Sequence, residues 1–388
     1  MAVALGSDRL FDSERLRGRR VGVVANPASV DGSFRHVVDR AASAPGVTLA
    51  AVFGPQHGFR ADLQDNMIET PHARDARRRV PVDSLYSETR EPTAEMLAGL
   101  DVLVIDLQDV GARIYTFVYT MANCLRAAAR HGVPVIVCDR PNPIGGEAVE
   151  GPMLLEGYES FVGLFPIPMR HGMTIGELAR LFNERFGIGA DLEVVRLDGW
   201  RRQMYWNDTG LPWVMPSPNM PTPDTAVVYP GGVLFEGTQL SEGRGTTRPF
   251  ELLGAPGIDA EPFAARLNAL RIDGAHFRPV IFEPTFHKHA RLACGGVQIH
   301  VTDRRTFRPV LAAVAVMGEC HRTAPDRFAW RQPPYEYVHD RMPIDILAGS
   351  DRLRQAIEAD VPAHDIAREW EEGTEQFRES RKPFLLYE

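Results

Sequence analysis

The chain has 388 residues and a formal net charge of −8, from 43 basic and 51 acidic residues. That balance argues against a protein that grips nucleic acid through its phosphates. No apolar run approaches the roughly 18 residues of a membrane span. Hydrophobic residues make up 44% and charged residues 24%, ordinary values for a globular protein. A length of this order suggests two domains and needs no disulfide or metal for stability. The opening MAVALGSDRLFDSERLRGRR lacks the apolar core of a secretory signal, so the expected location is cytoplasmic. Four cysteines (Cys124, Cys138, Cys294, Cys320) stand far apart with no C-x-x-C spacing, and read as small buried hydrophobes. All basic residues but Lys288 and Lys382 are arginine, a bias too general to mark a site.

In chain order, RVGVVAN (20–26), VTLAAVF (47–53), VLVID (102–106) and VPVIVC (133–138) are short continuous apolar runs. A helix is expected over 34–42, and another over 115–131, where apolar residues recur at helical spacing. Buried strands alternating with helices imply an α/β fold with a Rossmann-like parallel sheet covered on both faces. Ligands of such sheets bind beyond the carboxyl ends of the strands, where this chain places Asn26, Gln56, His57, Asp106, Asp109, Asp139 and Arg140. Thr174 and Glu177 form a capping box opening a helix over 173–186, and a strand follows at 192–197. Residues 212–257 are rich in Pro and Gly, a length of loop that is usually functional. Beyond them come a helix over 262–270, a strand at 295–301, and helices over 309–320 and 344–357. The expected division is a Rossmann-like catalytic domain over 1–255 and a smaller α+β domain over 256–388 that closes the cleft.

The sequence contains no G-x-G-x-x-G, P-loop, H-E-x-x-H or G-x-S-x-G, so no nucleotide cofactor is expected. FGPQHGFR (53–60) puts Gln56, His57 and Arg60 on a glycine-bracketed turn at a strand end. QDNMIET (64–70) adds Asp65, Asn66 and Glu69. In DLQDVGARIYT (106–116), Asp106 and Asp109 can serve a base, a metal or sugar hydroxyls; Asp109 and Arg113 can equally form an ion pair. CDRPNPIGG (138–146) offers Asp139, Arg140 and Asn142 on a loop stiffened by two prolines, and His171 precedes the capped helix. PSPNMP (216–221) and LFEGTQLSEGRGTTRPFE (234–251) crowd Asn219, Glu236, Glu242 and Arg244 among glycines. Glu236 and Glu242, six residues apart, can supply the paired carboxylates of glycoside hydrolysis, and Arg244 can pair with an anion. His287 and His289 would share one face of a strand, but no further ligand follows at a familiar spacing, so no metal is expected.

The strings VGVVANPAS, FGPQHGFR, DLQDVGARIYT, VCDRPNPIGG, PIPMRHGMTIGELA, PSPNMP, LFEGT and SEGRGTTRPFELLGAP resemble a bacterial family long catalogued as a domain of unknown function. Its characterised members are exo-β-N-acetylmuramidases. The resemblance is clearest over residues 20–256. It implies a glycoside hydrolase that releases terminal non-reducing N-acetylmuramic acid from peptidoglycan fragments, with a sugar or muropeptide as its partner and no cofactor. On this reading Glu242 and Glu236 lead as catalytic residues, with Asp109 and His57 behind them. Arg113 or Arg244 would hold the lactyl carboxylate. Gln56, Arg60, Asp106, Asp139, Asn142, His171 and Asn219 would contact the rest of the sugar. The resemblance also leads one to expect a catalytic glutamate immediately before His57, where this chain has Gln56. Glutamine cannot act as a general acid or base. Another carboxylate would then carry the chemistry, or the protein would hydrolyse a different amino sugar, or bind sugar without turnover.

Overall fold

The computed structural model describes residues 2–64 and 67–388. Its larger sheet is built from β1 (Arg20–Ala25), β2 (Thr48–Gly54), β3 (Ala73–Asp75), β4 (Val80–Ser84), β5 (Val102–Asp106), β6 (Val135–Cys138) and, after the two-stranded ribbon of β7 (Glu150–Met153) and β8 (Pro168–Arg170), β9 (Leu192–Val195). The strand order is β3-β4-β2-β1-β5-β6-β9. All pairings are parallel except β3 against β4. The β-branched runs of β1, β5 and β6 are buried almost throughout, as a sheet covered on both faces requires. Each of the four apolar runs expected to be strands is one. The helix Phe117–His131 ends at Gly132, whose φ of 66° places it in the left-handed region and whose N–H caps Ala128 O.

The smaller sheet is antiparallel, β10 (Leu252–Ala255), β12 (Cys294–Val301) and β11 (Ala275–Phe282), in the order β10-β12-β11. The α/β class with a smaller α+β unit is therefore observed. Residues 212–257 are not one long loop: they contain the helix Pro223–Gly232 and the 3₁₀ turn Val233–Gly237. That helix crosses the helix Pro309–Thr323 so closely that a Cβ on Gly231 would lie 1.9 Å from Pro309 O. The single helix expected over 344–357 is two, Pro343–Ala348 and Arg352–Glu358. Gly349, at φ 83°, turns the chain between them, and its carbonyl accepts the Leu155 N–H at 3.0 Å. One apolar core runs from Val24 in β1 to Phe384, so both units share a single interior.

Sequence position at the strand ends proved a poor guide to accessibility. Asp106 and Arg140 form a fully buried ion pair, the second contact being Arg140 Nη2 to Asp106 Oδ2 at 3.2 Å. Asn26 Nδ2 donates to Gln108 O. Asp139 accepts four hydrogen bonds, from Gly176 N (2.7 Å), Thr174 Oγ1 (2.8 Å), Arg140 N (2.9 Å) and Tyr387 OH (2.5 Å). Burial pushes the Asp139 carboxyl up to about 7, against the pull of the Tyr387 hydroxyl. A carboxyl whose folded pKa exceeds its unfolded value of about 3.9 costs stability once the unfolded chain ionises. This contribution to stability therefore declines between about pH 4 and 7. Asp139→Asn would turn an amide N–H₂ toward these donors. It is expected to cost about 2–4 kcal/mol and to flatten the pH dependence of the urea midpoint over that range.

Candidate active site

A pocket opens between the end of β2, the loop after β5, the segment 217–250 and residues 335–336. Gln56 and His57 reach it from the turn after β2, and His57 sits at φ 70° with Nδ1 2.7 Å from Leu63 O. Ser217, Asn219, Tyr229 and Phe250 line the opposite wall. Asn219 donates to Gln64 O at 3.1 Å, tying that wall to the chain beyond β2.

Two carboxyl groups face the pocket in opposite environments. Glu236 accepts from Arg244 Nη2 at 2.6 Å and from Tyr335 OH at 2.7 Å. Burial pushes its pKa up, but the Arg244 charge and the hydrogen bonds from Arg244 and Tyr335 together outweigh it and hold Glu236 below the usual carboxylate range. Among the described residues no guanidinium bonds Glu336. Tyr86 OH donates to its Oε2 at 3.0 Å and Gln56 Nε2 to its Oε1 at 3.4 Å. Burial, joined by repulsion from Glu236, drives Glu336 up to about 7 despite the Tyr86 hydrogen bond. Gln56 is itself held by Thr116 Oγ1, which donates to its Oε1 at 2.8 Å.

Glu242 lies behind this wall, fully buried and absent from the pocket lining. Lys288 Nζ donates to its Oε2 at 2.8 Å, and His287 Nδ1 and Arg244 Nε stand 3.2 and 3.4 Å from its Oε1. Those charges overcome burial and keep it ionised. Burial pulls the lysine below its ordinary pKa, while further bonds to Phe235 O and Leu240 O anchor the ammonium. Glu236, Arg244, Glu242 and Lys288 thus form an alternating, neutral chain of charge running inward from the pocket. His287 and His289 do not share a strand face. Both have left-handed backbone, at φ 69° and 56°; His287 turns in to Glu242, and His289 Nε2 lies 2.7 Å from Gln239 O.

Of the residues singled out in the sequence, the pocket gathers Gln56, His57, Asn219, Glu236 and Arg244. The others lie elsewhere for physical reasons. Arg113 is wholly buried and donates to Pro152 O, Ile167 O and Leu347 O at 2.8–3.0 Å; it holds backbone, not a ligand. Asp106 and Asp139 are consumed by the bonds described above. Asn142 Nδ2 donates to Met173 O while its Oδ1 caps Ile144 N. Asp109 caps Gly111 N and stands 3.5 Å from His171 Nε2, both side chains buried outside the pocket. Arg60 is exposed and Glu69 pairs with Arg90 at 3.2 Å. Asp65 and Asn66 lie outside the described residues.

Sequence reasoning missed Tyr335, Glu336 and Lys288. The signal for Lys288 was present: it is one of two lysines in an arginine-rich chain, and the other, Lys382, pairs with Glu379 on the surface. For Glu336 there was only an acid between two tyrosines after a proline pair (PPYEY).

The whole chain has close relatives. The family model for Exo-beta-N-acetylmuramidase NamZ, N-terminal, matches residues 21–224, and that for its C-terminal part matches residues 227–387. The peptidoglycan beta-N-acetylmuramidase NamZ of Bacillus subtilis (strain 168) is 46% identical over 387 residues, covering 99% of this chain and 91% of that protein. Two crystal structures of DUF1343 family proteins from Bacteroides fragilis NCTC 9343 superpose over 100% of this chain and 99% of theirs. Their TM-scores are 0.90 and 0.75, at 34% and 28% identity. By sequence along its full length and by fold, this chain belongs to the exo-β-N-acetylmuramidase NamZ family.

Proposed function

We propose that this chain is an exo-acting glycosidase that hydrolyses the β-bond of a terminal non-reducing N-acetylmuramic acid and releases that sugar from peptidoglycan fragments. The full-length relationship to the Bacillus subtilis enzyme supports the substrate class. The observation that carries the chemistry is the pair of pocket carboxyls, Glu236 held ionised by Arg244 and Glu336 held toward its neutral form by burial. Glycoside hydrolysis passes through an oxocarbenium-like transition state and uses one carboxylate and one carboxylic acid; water is the only co-reactant. Glu236 is the group that stabilises positive charge at the anomeric carbon. Arg244, a residue of the pocket lining, donates to the lactyl carboxylate that separates N-acetylmuramic acid from N-acetylglucosamine. His57 and Asn219 stand where they can bond hydroxyl and acetamido groups. Glu242 and Lys288 act from behind by fixing Arg244.

The test is turnover of a chromogenic β-N-acetylmuramide beside the matching β-N-acetylglucosaminide. The muramide should be preferred by at least about 100-fold in kcat/KM, the worth of one charge-assisted bidentate contact in a dry pocket. Equal turnover of the two would reassign the enzyme to another amino sugar. Arg244→Lys should narrow the ratio, because an ammonium cannot serve Glu236 and a second carboxylate with a planar fork.

A further inference from the structure

The segment that delivers Glu336 is a tight turn, Tyr335–Val338. Tyr335 N donates to Val338 O at 3.0 Å and Val338 N to Tyr335 O at 2.9 Å. Both central residues have positive φ, 43° at Glu336 and 68° at Tyr337. Turns of that hand are normally built from Gly, Asn or Asp. A glutamate and a tyrosine there hold strained backbone, of the kind that persists at functional sites. The strain places the Glu336 side chain, 3% exposed, in the pocket opposite the turn after β2. Tyr86 and Gln56 hold its two oxygens. Arg90 stacks over the Tyr86 ring at 4.2 Å and the Tyr337 ring at 4.7 Å. Glu236, bonded to the neighbouring Tyr335, is the facing negative charge.

We propose that Glu336 is the catalytic proton donor to the leaving glycosidic oxygen, and that Gln56 and Tyr86 are positioning residues that fix its two oxygens. The assignment rests on the glycosidase reading above. As the bond from the anomeric carbon to the glycosidic oxygen breaks, its electron pair stays with that oxygen, and the Glu336 carboxyl proton becomes the hydrogen of the departing alcohol. A water molecule supplies the new hydroxyl on the anomeric carbon, and its remaining proton restores the Glu336 carboxyl. Gln56, which has no proton to give, is thereby accounted for as a hydrogen-bond partner of the acid. Because the acid works protonated, kcat/KM falls as pH rises through about 7.

The experiment compares wild type and Glu336→Gln on two substrates, the disaccharide N-acetylmuramyl-β-1,4-N-acetylglucosamine and 2,4-dinitrophenyl β-N-acetylmuramide. Dinitrophenol needs no proton to leave. Glu336→Gln should lose about 10²- to 10⁴-fold on the disaccharide and less than about tenfold on the aryl glycoside, with the alkaline limb gone. Tyr86→Phe removes a donor that favours the ionised carboxyl, so its alkaline limb should move to higher pH. Glu336→Asn, better suited to the turn, should melt no lower than wild type, which separates loss of activity from loss of fold. Equal losses on both substrates, or full activity of Glu336→Gln, would overturn the assignment while leaving the glycosidase reading intact. Failure of the wild type to release muramic acid from either substrate would overturn both.

Discussion

Glu236→Gln is expected to lower kcat on any β-N-acetylmuramide by at least about 10³-fold, with the thermal midpoint nearly unchanged. The substituted amide keeps the size of the carboxylate; its oxygen can still accept from Arg244, and its N–H₂ can donate to the Tyr335 hydroxyl, the two groups that bond separate oxygens of Glu236 at 2.6 and 2.7 Å. What it loses is the negative charge. In a pocket walled by Tyr229, Phe250 and Val233, a full charge opposite an oxocarbenium ion is far stronger than it would be in water. Arg244 would retain Glu242, 3.4 Å from its Nε, so the inner charge chain survives the substitution. Steady-state kinetics beside a melting curve decide the matter. A variant within tenfold of wild-type kcat would remove Glu236 from the mechanism.

Arg113→Met should do the reverse, destabilising the protein while sparing the catalysis of the molecules that remain folded. The Arg113 side chain is wholly buried, and burial pulls its pKa down to about 10. Its guanidinium joins three separate pieces of chain through Pro152 O, Ile167 O and Leu347 O. Methionine fills part of the volume but removes the donor from Pro152 O and Leu347 O, each worth about 1–3 kcal/mol when left unsatisfied, while Ile167 O keeps Leu154 N at 3.3 Å. A loss of about 2–6 kcal/mol is expected, read as a lower urea midpoint. KM for the muramide should stay at the wild-type value. A raised KM at unchanged stability would return Arg113 to the substrate.

The contrast between these two residues shows where sequence is informative. Continuous apolar runs announced β1, β2, β5 and β6, because a strand covered on both faces favours apolar residues throughout. The Thr174–Glu177 capping box is present as read, Thr174 Oγ1 accepting from Glu177 N at 3.2 Å and Glu177 Oε2 from Thr174 N at 3.0 Å. The charged residues at strand ends were harder. Asp106, Arg113, Asp139 and Asn142 have the composition of a site, but whether such a group meets a ligand or another part of the protein depends on chain 31 to 248 residues away. Leu347, which orients Arg113, and Tyr387, which bonds Asp139, are examples. The same distance hid Glu336. It reaches Gln56 across 280 residues of sequence, and nothing local to PPYEY distinguishes it from a solvated acid. Glu236 and Arg244 were legible because both partners sit in one glycine-rich stretch.

The docking of the C-terminal segment has a consequence for how the protein is made. Leu386 N donates to Glu177 at 2.8 Å, Tyr387 OH accepts from Leu197 N at 2.8 Å and donates to Asp139, and Glu388 O accepts from Arg202 N at 3.0 Å. Those partners lie at the far edge of the larger sheet, beside β6 and β9. A ribosome finishes that sheet long before it delivers the residues that satisfy it. At about 5–20 residues per second, the remaining chain takes on the order of 10–40 s to emerge. Throughout that interval Asp139 lacks the Tyr387 hydroxyl and Glu177 lacks the Leu386 N–H. The nascent sheet therefore spends that interval without these four contacts, and residues 386–388 complete them only when they emerge.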